Sequence, residues 1–328
     1  MFRSVYRDGQ GVVRIGLRAE DIAAALDDEG GMLWVDLDAS EAEGNRALLC
    51  DVFGFHPLAV DDALVEHHVP KVDDWEQYLY VGLHAAALDA VSDEVLQVRE
   101  IDVFVGPRYL VSHQHHSTMA LERLWAACQR DERLLQRGAT HLLYRLADEL
   151  ADDYMRVIDD LDEVVDGIED EVLAGSDGDI LVTIMRYKRA LLRLRRVVAP
   201  QREVMNKLAR GDDDVLDSDK LIYFRDVYDH YVRLADIAEN LRDLVSSALD
   251  THLSVVNNRM NEVMKTLTVI TVLFAPITFI SGFFGMNFFQ ASGRFDGWTG
   301  GVVLGAALVT MVGLPLAMAL WLRKRAWM

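Results

Sequence analysis

Three groups of residues have types and spacing that could handle a metal cation. Ser112-His113-Gln114-His115-His116 would put His113 and His115 on one face of a strand, where neutral imidazoles suit Zn2+ or Co2+. A partly exposed strand end accounts for the same residues without a metal. Asp152, Asp159 and Asp166 recur at steps of seven with Asp153 and Asp160 beside them, a helix face that either concentrates cations or is solvated. The third group is uncharged. Asn261, Met264, Leu267 or Thr268, Thr271, Ala275, Thr278 and Gly282 recur at steps of three or four. This stripe of small, hydroxyl and flexible side chains suits either a water-filled lining or helix packing in lipid. No Walker motif, kinase signature or nucleophile with a base accompanies these groups, which points away from an enzyme or an ATP-driven pump.

The uncharged stripe lies in the first of two apolar runs between Thr266 and Leu322. No charged residue occurs between Lys265 and Arg294 or between Asp296 and Arg323, so each run can cross a hydrocarbon core that takes roughly 20 residues to span. The runs flank Gly285-Met286-Asn287 and make a helical hairpin whose outer loop, closing at Trp298, is about a dozen residues long, too short for a domain. Pro276 leaves a carbonyl of the preceding turn without its helical partner, which is tolerated where protein or water satisfies it. Lys265 precedes the first span and Arg323-Lys324-Arg325 follows the second, whereas the loop holds only Arg294, so both termini are expected in the cytoplasm. The formal charge of -20 lies outside the spans and argues against nucleic acid, which wants a basic face. A large acidic body is thus expected inside the cell on a small membrane anchor. Cys50 and Cys128 match no metal or disulfide spacing and read as reduced, and Met1 to Gly30, charged throughout, does not resemble a signal peptide.

The cytoplasmic part opens with strand-like Val12 to Ile15 and Met32 to Leu37 around a helix at Ala19 to Leu26. A helix follows His56-Pro57, then strands at Tyr78 to Leu83, Val95 to Val105 and Tyr109 to His113. Ile101, Val103 and Val105 alternate with Asp102 and Phe104, as in a sheet with one covered face. From about Ser117 the pattern is helical. An acidic arm, Ala147 to Leu173, and a basic return arm, Ile180 to Arg210, are separated by Gly175-Ser176-Asp177-Gly178 and can face each other in an antiparallel hairpin, the second arm kinked at Pro200. A third helix starts with Ser218 or Asp219 as N-cap. Val227, Leu234, Leu241, Ala248 and Val255 are seven apart, with Ile237 and Leu244 between them, and no glycine or proline intervenes before Pro276. Such a helix would reach on the order of 100 Å. It cannot bury both a seam and a membrane face alone, which predicts a homo-oligomer with this helix at its centre.

Phe274-Ala275-Pro276-Ile277-Thr278-Phe279-Ile280-Ser281-Gly282-Phe283-Phe284-Gly285-Met286-Asn287-Phe288, preceded by Asn261-Glu262-Val263-Met264-Lys265-Thr266-Leu267-Thr268, resembles the signature of the CorA family of magnesium transporters. The likeness extends to Trp34-Val35-Asp36-Leu37, His56-Pro57-Leu58-Ala59-Val60-Asp61-Asp62, Pro70-Lys71-Val72, Tyr223 to His230 and the basic tail ending in Trp327, nearly the whole chain. It implies an α+β membrane protein: a homopentamer with an N-terminal cytoplasmic mixed α/β domain, a long helical hairpin, a stalk helix and two transmembrane helices in the plasma (inner) membrane. The division expected is 1–140 for the α/β domain, 141–217 for the hairpin and 218–284 for the stalk with the first span. Residues 285–298 form the outer loop, 299–322 the second span and 323–328 the basic tail.

The resemblance further implies channel-like uptake of Mg2+, with Co2+ or Ni2+ as other cargo, driven by membrane potential. Gly285, Met286 and Asn287 would ring the outer mouth as the filter, Gly285 for backbone shape and Met286 for packing. Mg2+ gives up its inner waters reluctantly, so neutral amide and carbonyl oxygens can hold the hydrated ion by its outer shell. Asn261, Met264, Leu267, Thr271, Ala275, Thr278 and Gly282 would line the pore, Met264 and Leu267 forming a hydrophobic gate. Ala275 stands where some relatives have methionine. The acidic Met-Pro-Glu-Leu segment of the family is replaced by Phe289 to Asp296, leaving Asp296 as the only carboxylate of the loop. Cytoplasmic Mg2+ would bridge Asp62, with Asp61 beside it, to Asp226 of a neighbour and hold the pore shut; Asp148 and Asp250 are further candidate ligands. A zinc-handling transporter, with or without proton coupling, is the alternative, and a membrane-tethered sensor that does not conduct is a third.

Overall fold

The structure, a computed structural model, describes residues 2–66, 69–92, 94–175, 180–285 and 301–324. It divides into two units, Met1–Leu249 and Asp250–Met328. The first unit begins with strands β1 (Phe2–Arg7) and β2 (Val13–Ile15), helix α1 (Ala19–Asp27) and strand β3 (Met32–Asp38). Helices α2 (Ala42–Ala47) and α3 (Pro57–Leu64) follow, then strands β4 (Lys71–Asp74), β5 (Leu79–Leu88), β6 (Leu96–Val105) and β7 (Tyr109–Gln114). Helices α4 (Met119–Arg130) and α5 (Arg133–Gln136) lead into the long helices α6 (Ala139–Leu173), α7 (Ile180–Arg210) and α8 (Leu221–Gly285).

The strands form one sheet in the order β2-β1-β3-β7-β6-β5-β4, with β3 and β7 parallel and the other described pairings antiparallel. Strands β1 and β4 have no counterpart among the strands expected from the sequence. Strand β1 reads Phe-Arg-Ser-Val-Tyr-Arg; Ser4, Val5 and Tyr6 are buried, and the half-buried Arg3 donates to Asp36 at 2.9 Å and to Glu122 at 2.8 Å. Asp36 also accepts from Ser112 (2.6 Å) and Gln114 (3.2 Å), and Trp34 donates to Ser112 at 3.1 Å. This buried network ties the parallel pair together, so Trp34 and Asp36 of the family-like segment hold the sheet.

The expectation of a sheet with one covered face is wrong. Ile101, Val103 and Val105 join a core with residues of α4, α6, α7 and α8, while Phe104 on the opposite face packs with Ile22 of α1 and Ala59, Val60 and Ala63 of α3. Asp102, the polar residue of that alternation, is fully buried and accepts a 2.6 Å hydrogen bond from the Tyr80 hydroxyl. A carboxylate with a hydrogen-bond partner can sit inside, and alternation alone reads it as facing water.

The antiparallel arms form as expected, α7 with its predicted bounds, but their charges do not meet. Among the described residues no ion pair joins α6 to α7; Arg193 pairs with Glu94, Arg195 with Glu239 at 3.7 Å, and Lys207 donates to the Val72 carbonyl at 2.8 Å. The arms touch through apolar residues such as Leu161, Val165, Leu191 and Leu194, all in one core. Helix α8 is preceded by a 3-10 turn, Ser218–Lys220, whose N-cap is Asp217 rather than Ser218 or Asp219. Gly211 ends α7 at φ +61, where an added Cβ would lie 2.1 Å from a Leu221 methyl.

The seam of α8 is covered within the chain as far as Ala248, so of the two faces expected from the sequence the apolar membrane face is the one left uncovered. Val227, Leu234, Leu241 and Ala248 are buried in the first unit's own core, beside residues of α6 and α7, while Leu244 is exposed. In the second unit, α8 from Asp250 onward and α9 (Gly301–Lys324) behave differently. Met260, Val263, Met264, Leu267, Ile270, Phe274 and Phe279 on the first and Val302, Leu308, Val309, Val312, Leu316 and Trp321 on the second are exposed. Both helices are long and apolar enough to cross a membrane. An apolar surface of this extent belongs against lipid or against another protein surface.

Candidate metal sites and ion pathway

Asp61 and Asp62 stand on α3, which starts at His56 with Pro57 in its first turn, where the missing N–H costs nothing. The His56 ring accepts from the Leu58 N–H at 3.2 Å and stacks on Trp75 at 4.5 Å, fixing the start of the helix. Ala59, Val60 and Ala63 are buried against the sheet, so helical spacing turns Asp61 and Asp62 outward. Neither carboxylate is bare. Asp61 pairs with Arg46 at 2.6 Å, and Asp62 pairs with the Lys71 ammonium, which also reaches Asp73 at 2.9 Å and lies 5.1 Å from the Tyr80 ring centre. Sequence alone gives Lys71 and Arg46 no role. The available signal is Pro70-Lys71-Val72, a cation in a family-like segment one strand away from the carboxylates.

Asp226 is exposed on α8, opposite the buried Val227, Tyr231 and Leu234. Asp148, on α6, pairs with Arg145 at 2.8 Å; burial raises its pKa, Arg145 pulls it down, and Asp152 pushes it up again. Tyr144 stacks on Tyr223 at 5.0 Å, and its phenol pKa is raised chiefly by burial, with the charges of Asp148 and Asp226 adding to the shift. Asp250 is exposed in the second unit. Among the described residues, no three His, Cys, Asp or Glu side chains gather as a metal cluster. The carboxylates are hard oxygen donors that suit Mg2+, yet one chain supplies them singly or in pairs with cations.

His141 packs at the same place, between Tyr144 and Tyr223, and is nearly fully buried. Burial, with Arg137, Arg145 and Lys220 around it, pushes its pKa from 6.5 down to about 4. The unfolded chain takes up this proton near pH 6.5 and the folded chain refuses it until about 4, so the group's contribution to stability is present above 6.5 and falls away as pH drops through that window. His141→Gln should flatten the loss between pH 7 and 5 by on the order of 1–2 kcal/mol, read by denaturant unfolding at both pH values.

The histidine group divides. His113 is fully buried with neither ring nitrogen hydrogen-bonded to a side chain, its pKa lowered by burial, and its ring meets His115 edge-on at 4.9 Å. The two share a face as expected, whereas His116 is exposed. Asp102 approaches His113 only to 3.9 Å. A burial this complete suits packing better than ligation of an ion from solvent.

The stripe on the first span is open along its length: Asn261, Met264, Leu267, Thr271, Ala275, Thr278 and Gly282 all face outward from the chain. Thr271 donates its hydroxyl to the Leu267 carbonyl at 2.9 Å and Thr278 to the Phe274 carbonyl at 3.0 Å. With the proton committed to the backbone, each hydroxyl oxygen offers only lone pairs outward. Gly285 is the last residue of α8. Its φ is not positive and an added Cβ would meet nothing within 4 Å among the described residues. Met286 and Asn287, the outer loop through Trp298 and the tail with Trp327 lie outside the described residues.

A family model for the CorA-like Mg2+ transporter protein matches residues 29–324. The chain is 32% identical over 296 residues to the cobalt/magnesium transport protein CorA of Thermotoga maritima, an alignment covering 90% of this chain and 83% of that one. It is 28% identical over 255 residues to the zinc transport protein ZntB of Yersinia pseudotuberculosis, covering 73% and 70% respectively. Among solved structures it is similar to the CorA magnesium transporter of Methanocaldococcus jannaschii, with a TM-score of 0.81 at 21% identity over 99% of this chain and 98% of the other. At that identity the structural likeness speaks for the fold. A match from the third strand to the end of the second span, and a relative at this identity over nine-tenths of the chain, carry the rest: the chain belongs to the family of CorA-like Mg2+ transporter proteins.

Proposed function

We propose that this chain forms a homopentameric channel in the plasma membrane that admits Mg2+, and Co2+ or Ni2+ with it, down the membrane potential. Both termini are cytoplasmic, Gly285, Met286 and Asn287 ring the outer mouth, and five copies of the α8 stripe line the pore. The observation that carries this reading is the outward-facing, uncharged stripe of α8, with Thr271 and Thr278 presenting acceptor oxygens. A hydrated Mg2+ presents water hydrogens outward and keeps its inner shell, so it needs acceptors rather than fixed negative charge. Asn261 extends the polar stripe, and Gly282 and Ala275 leave room for the water shell. Met264 and Leu267, apolar and exposed, close the path by dewetting when the copies draw together. Entry of a divalent ion yields about 4.6 kcal/mol per 100 mV, twice the single-charge value.

Closure is assigned to cytoplasmic Mg2+ held between neighbouring copies by Asp62 and Asp61 of one and Asp226 of the next, with Asp148 and Asp250 as further ligands. Opposed carboxylates repel, and a divalent cation between them removes the repulsion. One observation favours a second reading, Zn2+ transport with or without proton coupling: the relative from Yersinia named as a zinc transport protein.

The test is ion entry into proteoliposomes holding the full chain under an inside-negative potential, with Mg2+, Co2+, Ni2+ and Zn2+ compared. Mg2+ entry that follows the potential and stops as internal Mg2+ rises is expected. Zn2+ entry driven by an imposed proton gradient, with Mg2+ excluded, would overturn the assignment in favour of the second reading.

A further inference from the structure

Lys71 is set where the closing ion is proposed to bind. Strand β4 pairs with β5 so that Lys71 lies opposite Gly82, and the lysine stem packs over that position; an added Cβ at Gly82 would be in ordinary contact with Lys71 Cγ, at 3.8 Å. The stem then runs toward the Tyr80 ring, and the ammonium stops between two carboxylates, Asp62 on α3 and Asp73 on β4 itself. Behind Tyr80 lies the buried Asp102 that holds its hydroxyl. Lys71, Asp62 and Asp73 are each between a third and a half exposed, so the cluster is open to ions from solvent while the apolar stem is held. Burial lowers the lysine's pKa, but the hydrogen bonds to Asp62 and Asp73 outweigh it and the net shift is upward, so the group stays charged at cytoplasmic pH.

We infer that Lys71 is a tethered competitor of the regulatory divalent cation: it neutralises Asp62 when Mg2+ is scarce, and lets go of Asp62 while keeping Asp73 when Mg2+ takes Asp62. The inference rests on the assignment of Asp62 to the closing site. Two features separate competition from simple support of the carboxylate. A lysine that positioned Asp62 for an ion would put a like charge within reach of that ion, which weakens binding. Asp73 also gives the displaced ammonium a place to go without returning to bulk water, so the exchange leaves no charge unpaired. The lysine thereby sets the Mg2+ concentration at which the channel shuts.

Lys71→Met keeps the apolar stem beside Tyr80 and removes the charge, so the half-effective Mg2+ concentration should fall about two- to fivefold, what a partly exposed ion pair is worth. Lys71→Arg should stay near the parent. Asp73→Asn removes the resting place, so it should raise that concentration, and the rise should vanish in the Lys71→Met background; a rise that persists there would mean that Asp73 acts through its own field and would overturn the exchange.

Two readouts are taken on the full chain: internal Mg2+ that halves entry into proteoliposomes, and Mg2+ that half-saturates thermal stabilisation of the detergent-solubilised protein. Melting in the absence of Mg2+ checks that each variant folds, with Lys71→Gln standing in if Lys71→Met does not. A half-effective concentration that is unchanged or higher in Lys71→Met, while Asp62→Asn shifts both curves upward, overturns the competitor and leaves the closing site intact. If Asp62→Asn moves neither curve, the closing site itself is misassigned and the competitor falls with it.

Discussion

Replacing Asn287 by alanine is expected to reduce the initial rate of Mg2+ entry into proteoliposomes at least about tenfold while leaving the protein folded. Mg2+ holds its inner waters in a near-ideal octahedron and sheds them reluctantly, so a mouth that selects it must replace second-shell contacts. In the proposed ring, the Asn287 side chain would bring a carbonyl oxygen that accepts from those waters. Each such bond is worth about 0.5–1.5 kcal/mol net, and symmetry repeats the loss in every copy of the ring. A ring deprived of all its amides loses several kcal/mol of ion stabilisation, which gives the tenfold figure a wide margin. Asn287→Asp discriminates further. A ring of carboxylates should saturate at lower external Mg2+ and pass fewer ions at saturation, since tight binding slows release. Entry by Asn287→Ala at the parent rate would mean that selection lies deeper, at Thr278 and Gly282.

Asn287 lies beyond the last described residue of α8, so its assignment stands on sequence position, which is a sound guide for some parts of this chain and not for others. The two apolar spans and the arm Ile180–Arg210 are legible because few structures other than membrane spans and long helices accommodate such uncharged runs and such sustained helical periodicity. Strand β1 is not, because its half-buried Arg3 breaks the apolar alternation and is satisfied by Asp36 and Glu122, residues far away in the chain. Asp102 is hidden for the same reason: only the fold brings Tyr80 to it. The heptad seam of α8 correctly marks Val227, Leu234 and Leu241 as buried, but periodicity names a buried face without naming what covers it, and the cover is α6 and α7 of the same chain. What remains uncovered is the part of α8 from Asp250 onward, so the outward-facing stripe there is the stronger argument for neighbouring copies. The candidate site is legible as residue types. Its cations are not: Arg46 and Lys71 come to Asp61 and Asp62 through the packing of α2, α3 and β4.

The largest stability effect is expected at Gln201, a residue that sequence periodicity on a basic arm gives no reason to single out. Its side chain is fully buried on α7, where its amide oxygen accepts from the His84 N–H at 2.8 Å and its amide nitrogen donates to the His84 carbonyl at 3.0 Å and to the Tyr231 hydroxyl at 2.6 Å. One amide therefore completes the backbone of β5 and ties it to α7 and α8. Leucine fills nearly the same volume, so Gln201→Leu leaves little cavity and tests the polar contacts. It strips the bonds from a buried backbone N–H and C=O and from the Tyr231 hydroxyl, at about 1–3 kcal/mol for each buried group left unsatisfied. A loss of about 3–5 kcal/mol follows, large for any single substitution. Denaturant unfolding of the solubilised full chain measures it. Tyr231→Phe provides the second arm of a cycle: it should cost less alone, since Gln201 keeps both bonds to His84, and almost nothing more once Gln201 is leucine. Additive losses would show that the hydroxyl has another partner and that the amide does not couple α7 to α8. If the coupling holds, loosening Gln201 frees α8 from α7 and β5 in the same unit that carries Asp62 and Asp226, and Gln201→Leu should also blunt the response of ion entry to internal Mg2+.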